Sequence, residues 1–151
     1  IASYFDDHAL LCGLTYSGHP LACAAGVACV NYYLEHDLAA HVRAVGAVLG
    51  EELEECKKRF ACVGDVRYIG LFSAVELVKD KETKEALVPY GKDPQGIMGK
   101  IIGMLAQRGF MTYSHENMII VAPPLIITEG QLREEMEKMK EVLDIVDKEF
   151  L

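Results

Sequence analysis

The sequence predicts an α+β fold: a small, mostly antiparallel sheet with helices packed on one face, preceded by a separate long helix. Three observations predict it. The elements read in the order helix, helix, two strands, helix, two strands, helix. Within each strand pair too few residues intervene for a crossover helix, which favours antiparallel pairing. The two longest helical segments carry their apolar residues in one stripe, as a helix does when it covers a sheet.

The elements follow in order. Residues 1–19 are irregular in pattern. Pro20 suits the first position of a helix, and the helix predicted over 20–36 is built from Ala22, Ala24, Ala25, Gly26 and Ala28, then Val30 and two tyrosines. Such small residues suit close packing against another backbone. Asp37 is read as the cap of a second helix, 38–60, with the stripe Leu38, Val42, Val45, Leu49, Leu53, Cys56 and Phe60. Steps of four and three are helical spacing. Glu51, Glu52, Glu54, Lys57 and Lys58 are assigned to the other, solvated face.

Residues 63–78 are rich in β-formers and punctuated by Gly64 and Gly70, which predicts two short strands or one strand bent at Gly70. The charged stretch 79–85 reads as a solvated turn. Asp93 is read as a cap, with Pro94 at the first position of a helix over 94–108 that carries Ile97, Ile101, Met104 and Leu105 and stops at Gly109. Strands are predicted at 110–113 and 118–122 around the polar turn 114–117, with Pro123 and Pro124 ending the second. Thr128 and Gln131 form a capping box. Leu132, Met136, Met139, Leu143, Val146 and Phe150 then repeat at helical spacing between charged residues.

The chain of 151 residues is long enough for a real core; a domain of this size buries about 68–70% of its unfolded surface. Fifteen basic against 23 acidic residues give a formal charge of −8, which argues against nucleic acid or an anionic membrane as partner. No apolar run reaches the roughly 18 residues of a membrane span, and no signal peptide is visible. The five cysteines at 12, 23, 29, 56 and 62 show no CxxC and no zinc spacing. They read as reduced thiols filling small apolar spaces, which suits a cytoplasmic protein. No metal site is expected: His36 and His41 are five apart, which does not fit a ligand pair on one helix face. The start at Ile1 is that expected of a piece of a longer protein.

The stretch Gly13-Leu14-Thr15-Tyr16-Ser17-Gly18-His19-Pro20 places two hydroxyls, two glycines and a helix start within eight residues. A phosphate is held by backbone N–H groups, hydroxyl donors and a helix N-terminus. The same residues also suit an ordinary loop into a helix, with Ser17 or His19 as its cap, and residue types alone leave both readings open.

The loop and the Pro-Leu-Ala-Cys-Ala-Ala that follows resemble the cofactor-phosphate loop of class III pyridoxal-phosphate aminotransferases. Residues 63–67 through Gly70-Leu71-Phe72 resemble the strand pair that opens that family's C-terminal domain. Residues 122–128 resemble the segment entering its last helix. These three motifs, in order, span nearly the whole chain. The resemblance implies a fold-type I homodimer, in which the threonine of this loop binds the phosphate of a cofactor held mainly by the other subunit. Thr15 matches that threonine, and Leu14 and Tyr16 match its neighbours. Residues 1–36 then read as the tail of a large cofactor domain and 37–151 as the small C-terminal domain.

By the same resemblance, the lysine that forms an imine with the cofactor precedes the Thr15 loop by a few tens of residues, so no catalytic residue is assigned within this chain and the chain alone is expected to be inactive. Lys57, Lys58, Lys79, Lys81, Lys84 and Lys100 all sit in surface-like contexts. In ornithine-type members an arginine grips the substrate carboxylate three residues before the Pro-Pro pair; here that position is Ile120. Amine:pyruvate-type members carry a mobile arginine upstream, which aligns with Tyr113, beside Thr112. Tyr113 and Ile120 are therefore the substrate-side candidates, and Ile120 equally suits a strand core. Arg67 reads better as a structural strand residue than as a carboxylate ligand. The implied reaction passes an amino group from an ω-amine or amino acid to a 2-oxo acid. Two other readings stay open: a stand-alone interaction or dimerisation module, and a related aminomutase or decarboxylase of the same fold.

Overall fold

The computed structural model describes residues 2–13 and 15–151. It divides into two compact units, Ile1–Asp37 and Leu38–Leu151.

In the first unit a 3₁₀ turn over Ala2–Asp6 precedes the helix α1, Pro20–Glu35. Pro20 opens α1 as expected, where its missing N–H costs nothing. No residue of α1 is buried. Asp37 lies beyond its end with φ +42°, a left-handed conformation and not the extended one of an ordinary N-cap.

The second unit contains α2 (Leu38–Arg59), β1 (Val63–Ile69), β2 (Phe72–Asp80), β3 (Glu85–Ala86), α3 (Ile97–Gln107), β4 (Tyr113–His115), β5 (Met118–Val121) and α4 (Glu129–Glu149). Its sheet runs β1-β2-β5-β4, antiparallel at each pairing, and β3 pairs antiparallel with β2. The α+β architecture is therefore the expected one. Gly70 makes the turn of the β1–β2 hairpin at φ +54°, so the two-strand alternative holds.

The helices share one core with one face of the sheet. Val66, Val75, Leu77, Ile119 and Val121 meet Leu49, Leu53 and Cys56 of α2, Ile101 and Leu105 of α3, and Met136, Met139 and Leu143 of α4. Alternate strand residues Ile69 and Phe72 point away and are exposed, as period-two geometry requires. The backbone of α2 approaches the β1–β2 turn closely. A Cβ on Gly46 would lie 2.7 Å from the Gly70 backbone, and one on Gly50 would lie 2.6 Å from the Tyr68 ring.

Four expectations need correction. Helix α3 starts at Ile97, not Pro94: Gly96 adopts φ +63°, and Asp93 reaches across it to accept from the amides of Ile97 (2.8 Å) and Met98 (2.9 Å). The capping chemistry was legible, but the cap lies farther back than an ordinary N-cap. Strand β4 begins at Tyr113, three residues later than predicted, because Tyr113 pairs with Ile120 and His115 with Met118. Glu85 belongs to strand β3 and not to a loop. Glu52, assigned to the solvated face of α2, is buried against α4, where it meets Lys140, itself buried. The α4 capping box is present as expected, with Thr128 and Gln131 each accepting from the other's backbone.

Candidate functional site

The first candidate is the loop before α1. Its backbone turns between Tyr16 and His19: the His19 amide donates to the Tyr16 carbonyl at 3.2 Å, and Gly18, third in the turn, takes φ +73°. Glycine is favoured there because a side chain is strained at positive φ. The Tyr16 ring stacks on the His19 ring, with centroids 5.0 Å apart and planes 20° from parallel. Thr15 and Tyr16 are exposed. Leu14, also a candidate, lies outside the described residues.

This loop runs directly into α1, whose His19 cap position makes no side-chain hydrogen bond. Pro20 has no N–H, and the first-turn amides of Leu21 and Ala22 have no acceptor inside the helix. No aspartate or glutamate occurs from Gly13 to Leu34. The donor set of hydroxyls, free amides and a positive helix end, with no nearby carboxylate in sequence, suits an anion.

The second candidate lies on the sheet. Arg67, Ala74, Ile120 and Tyr113 stand directly opposite one another across β1, β2, β5 and β4, forming one row. The structure thus brings the two substrate-side candidates together as cross-strand partners. They differ in access: Tyr113 is 61% exposed and Ile120 only 8%. The Thr112 hydroxyl donates to the Ile120 carbonyl, which fastens the segment before β4 to β5. Phe110, Thr112, Ile120, Pro123, Leu132 and Met136 contribute to an apolar cleft of about 220 Å³ beside α4.

Arg67 is engaged. Its guanidinium meets Glu76 at 2.8 Å and Asp65 at 3.2 Å, and a second nitrogen lies 3.0 Å from the Met118 sulfur. Asp65 is also bound by Lys57 at 2.8 Å. That hydrogen bond holds the Asp65 carboxyl below the usual carboxylate range, and the smaller cost of burial does not cancel it. With two carboxylates already on it, Arg67 has the surroundings of a structural strand residue.

Two connections were not legible in the sequence. His41 of α2 donates from its ring Nε2 to the Ile127 carbonyl at 2.8 Å, tying the start of α2 to the segment that enters α4. Asp147 of α4 accepts from the amides of Ala61 (2.9 Å) and Cys62 (2.7 Å), just past the end of α2. Both contacts join residues more than eighty positions apart, so no local pattern signals them. Among the described residues no group of three or more histidine, cysteine, aspartate or glutamate side chains is placed to hold a metal ion. No helix among them is long and apolar enough to cross a membrane.

The aminotransferase class-III family model matches residues 4–143. Among curated relatives, a probable gamma-aminobutyrate transaminase of Oryza sativa subsp. japonica is 35% identical over 84% of this chain and 25% of its own length. An ethanolamine-phosphate phospho-lyase homolog of Caenorhabditis elegans is 28% identical over 89% of this chain and 28% of its own. Among solved structures, the taurine:2-oxoglutarate aminotransferase of Bifidobacterium kashiwanohense, in complex with PLP and glutamate, is 51% identical. It covers 99% of this chain and superposes with a TM-score of 0.91. This chain spans between about a quarter and a third of the length of these relatives, 25–33%.

Proposed function

This chain belongs to the class-III aminotransferase family, and from that premise we propose that it is the C-terminal part of a pyridoxal-phosphate-dependent aminotransferase. The observation that carries the proposal is the 51% identity and 0.91 TM-score to the taurine:2-oxoglutarate aminotransferase over 99% of the chain. In this reading residues 1–36 close a large cofactor domain and 37–151 form the small C-terminal domain. The amino donor is an ω-amine or amino acid, of the class of taurine or gamma-aminobutyrate, and the acceptor is a 2-oxo acid.

When bound, pyridoxal phosphate supplies an electron sink for the carbon that loses or gains a proton. This chain's contribution is to hold and to shape. The Thr15 hydroxyl would donate to the cofactor phosphate, across the homodimer that the family resemblance implies. The Leu21 and Ala22 amides add the field of the α1 N-terminus. Tyr113 and Ile120 are the substrate-side residues, and because isoleucine cannot bind a carboxylate, an acid group on the substrate would be held by residues outside this chain. The lysine that moves the proton belongs to the preceding part of the longer protein, so this chain alone is inactive. The protein works in the cytoplasm.

The test is direct. The longer protein that carries this chain, loaded with pyridoxal phosphate, is incubated with taurine or gamma-aminobutyrate and 2-oxoglutarate, and glutamate is measured. Glutamate formed only when both substrates are present supports the proposal. A cofactor-loaded protein that forms none with any ω-amine or amino acid overturns it.

A second reading has a specific observation behind it. The phospho-lyase homolog matches 89% of this chain, so the same C-terminal architecture accompanies a different reaction name. Cofactor-dependent release of phosphate from phosphoethanolamine, with no need of a 2-oxo acid, distinguishes that chemistry from amino transfer.

A further inference from the structure

We draw no further inference here: the strongest candidate, the apolar cleft between β5, the Pro123–Pro124 segment and α4, carries nothing, because its one carboxylate, Glu135, is already paired with Lys138 and nothing in the structure shows what covers it.

Discussion

Glu52 of α2 and Lys140 of α4 form an ion pair at 2.8 Å with only 8% and 7% of their side chains exposed. Arg133 also reaches Glu52, and Lys140 is flanked by Glu137 at 2.9 Å and Glu55 at 3.4 Å. Burial alone raises the Glu52 carboxyl and lowers the Lys140 ammonium. Lys140 and Arg133 together outweigh burial at Glu52, and Glu52 and Glu137 together outweigh it at Lys140, so Glu52 sits below its ordinary value and Lys140 above. Breaking a buried pair leaves an uncompensated charge, whereas replacing both members by apolar groups is often nearly neutral. Lys140→Met is expected to cost about 3 kcal/mol by urea unfolding. Adding Glu52→Leu is expected to recover about 1–3 kcal/mol of that loss. Strictly additive costs would show that the two residues do not depend on each other.

The same pair sets an acid limb of stability. A carboxyl depressed in the folded state contributes stability that is fully present above its unfolded value and is lost as pH falls through its folded value. Burial opposes the Glu52 depression, and Lys140 then Arg133 produce it; Lys57 chiefly produces that of Asp65. The relevant unfolded values are about 4.3 for glutamate and 3.9 for aspartate. The urea midpoint should therefore fall between pH 5 and pH 3 (roughly the window those values define). Glu52→Gln should fall less over that interval, having lost stability already at neutral pH. An identical acid loss in both proteins would remove Glu52 from the account.

Two glycines in helices have opposite expectations. A Cβ on Gly46 would strike the Gly70 backbone at 2.7 Å, and backbone cannot swing aside. Gly46→Ala should destabilise by about 1–3 kcal/mol. Gly103 of α3 has nothing within 4 Å of its would-be Cβ. Gly103→Ala should stabilise by about 0.5–1 kcal/mol, through helix propensity alone. Thermal unfolding of the two variants is enough to check the sign of each.

Thiol reactivity separates the two units. Cys56 and Cys62 are buried as expected of apolar fillers, but Cys12, Cys23 and Cys29 are exposed and do not fill apolar space. Burial pushes the Cys56 thiol up to about 11 and raises Cys62 further, with Asp147 adding to it. Thiolate is the reactive form. A thiol-labelling reagent at neutral pH should modify the three exposed cysteines of the native chain and reach all five only in denaturant. Rapid labelling of Cys56 or Cys62 in the native chain would contradict the packing of α2 against α4.

Much of the fold was legible because its signals are local. The stripes of α2 and α4, the capping box at Thr128 and the turn at Gly70 each follow from residues within one or two turns of each other. The misplaced boundaries share a different cause. The β4 register is fixed by pairing with β5, and Asp93 caps a helix four residues on because Gly96 bends the chain between them. Glu52 looked like a surface residue because its partner lies 88 positions away on another helix. At the candidate site, the family resemblance named Tyr113 and Ile120 separately, from two different types of member, and only strand pairing shows them to be direct neighbours. The engagement of Arg67 by Asp65 and Glu76 depends on strand pairing and a bulge after Val63, which no spacing rule gives.

The proposed function assigns Thr15 as a ligand of the cofactor phosphate. Its most direct test is the dissociation constant of pyridoxal phosphate for the longer protein carrying Thr15→Val, against the unaltered protein, with unfolding midpoints measured alongside. Valine keeps the shape and removes the donor. A hydrogen bond to a charged group contributes about 1.5–3 kcal/mol, so cofactor affinity should fall by about ten-fold or more at an unchanged midpoint. Unchanged affinity would contradict the assignment and remove the loop before α1 from the site.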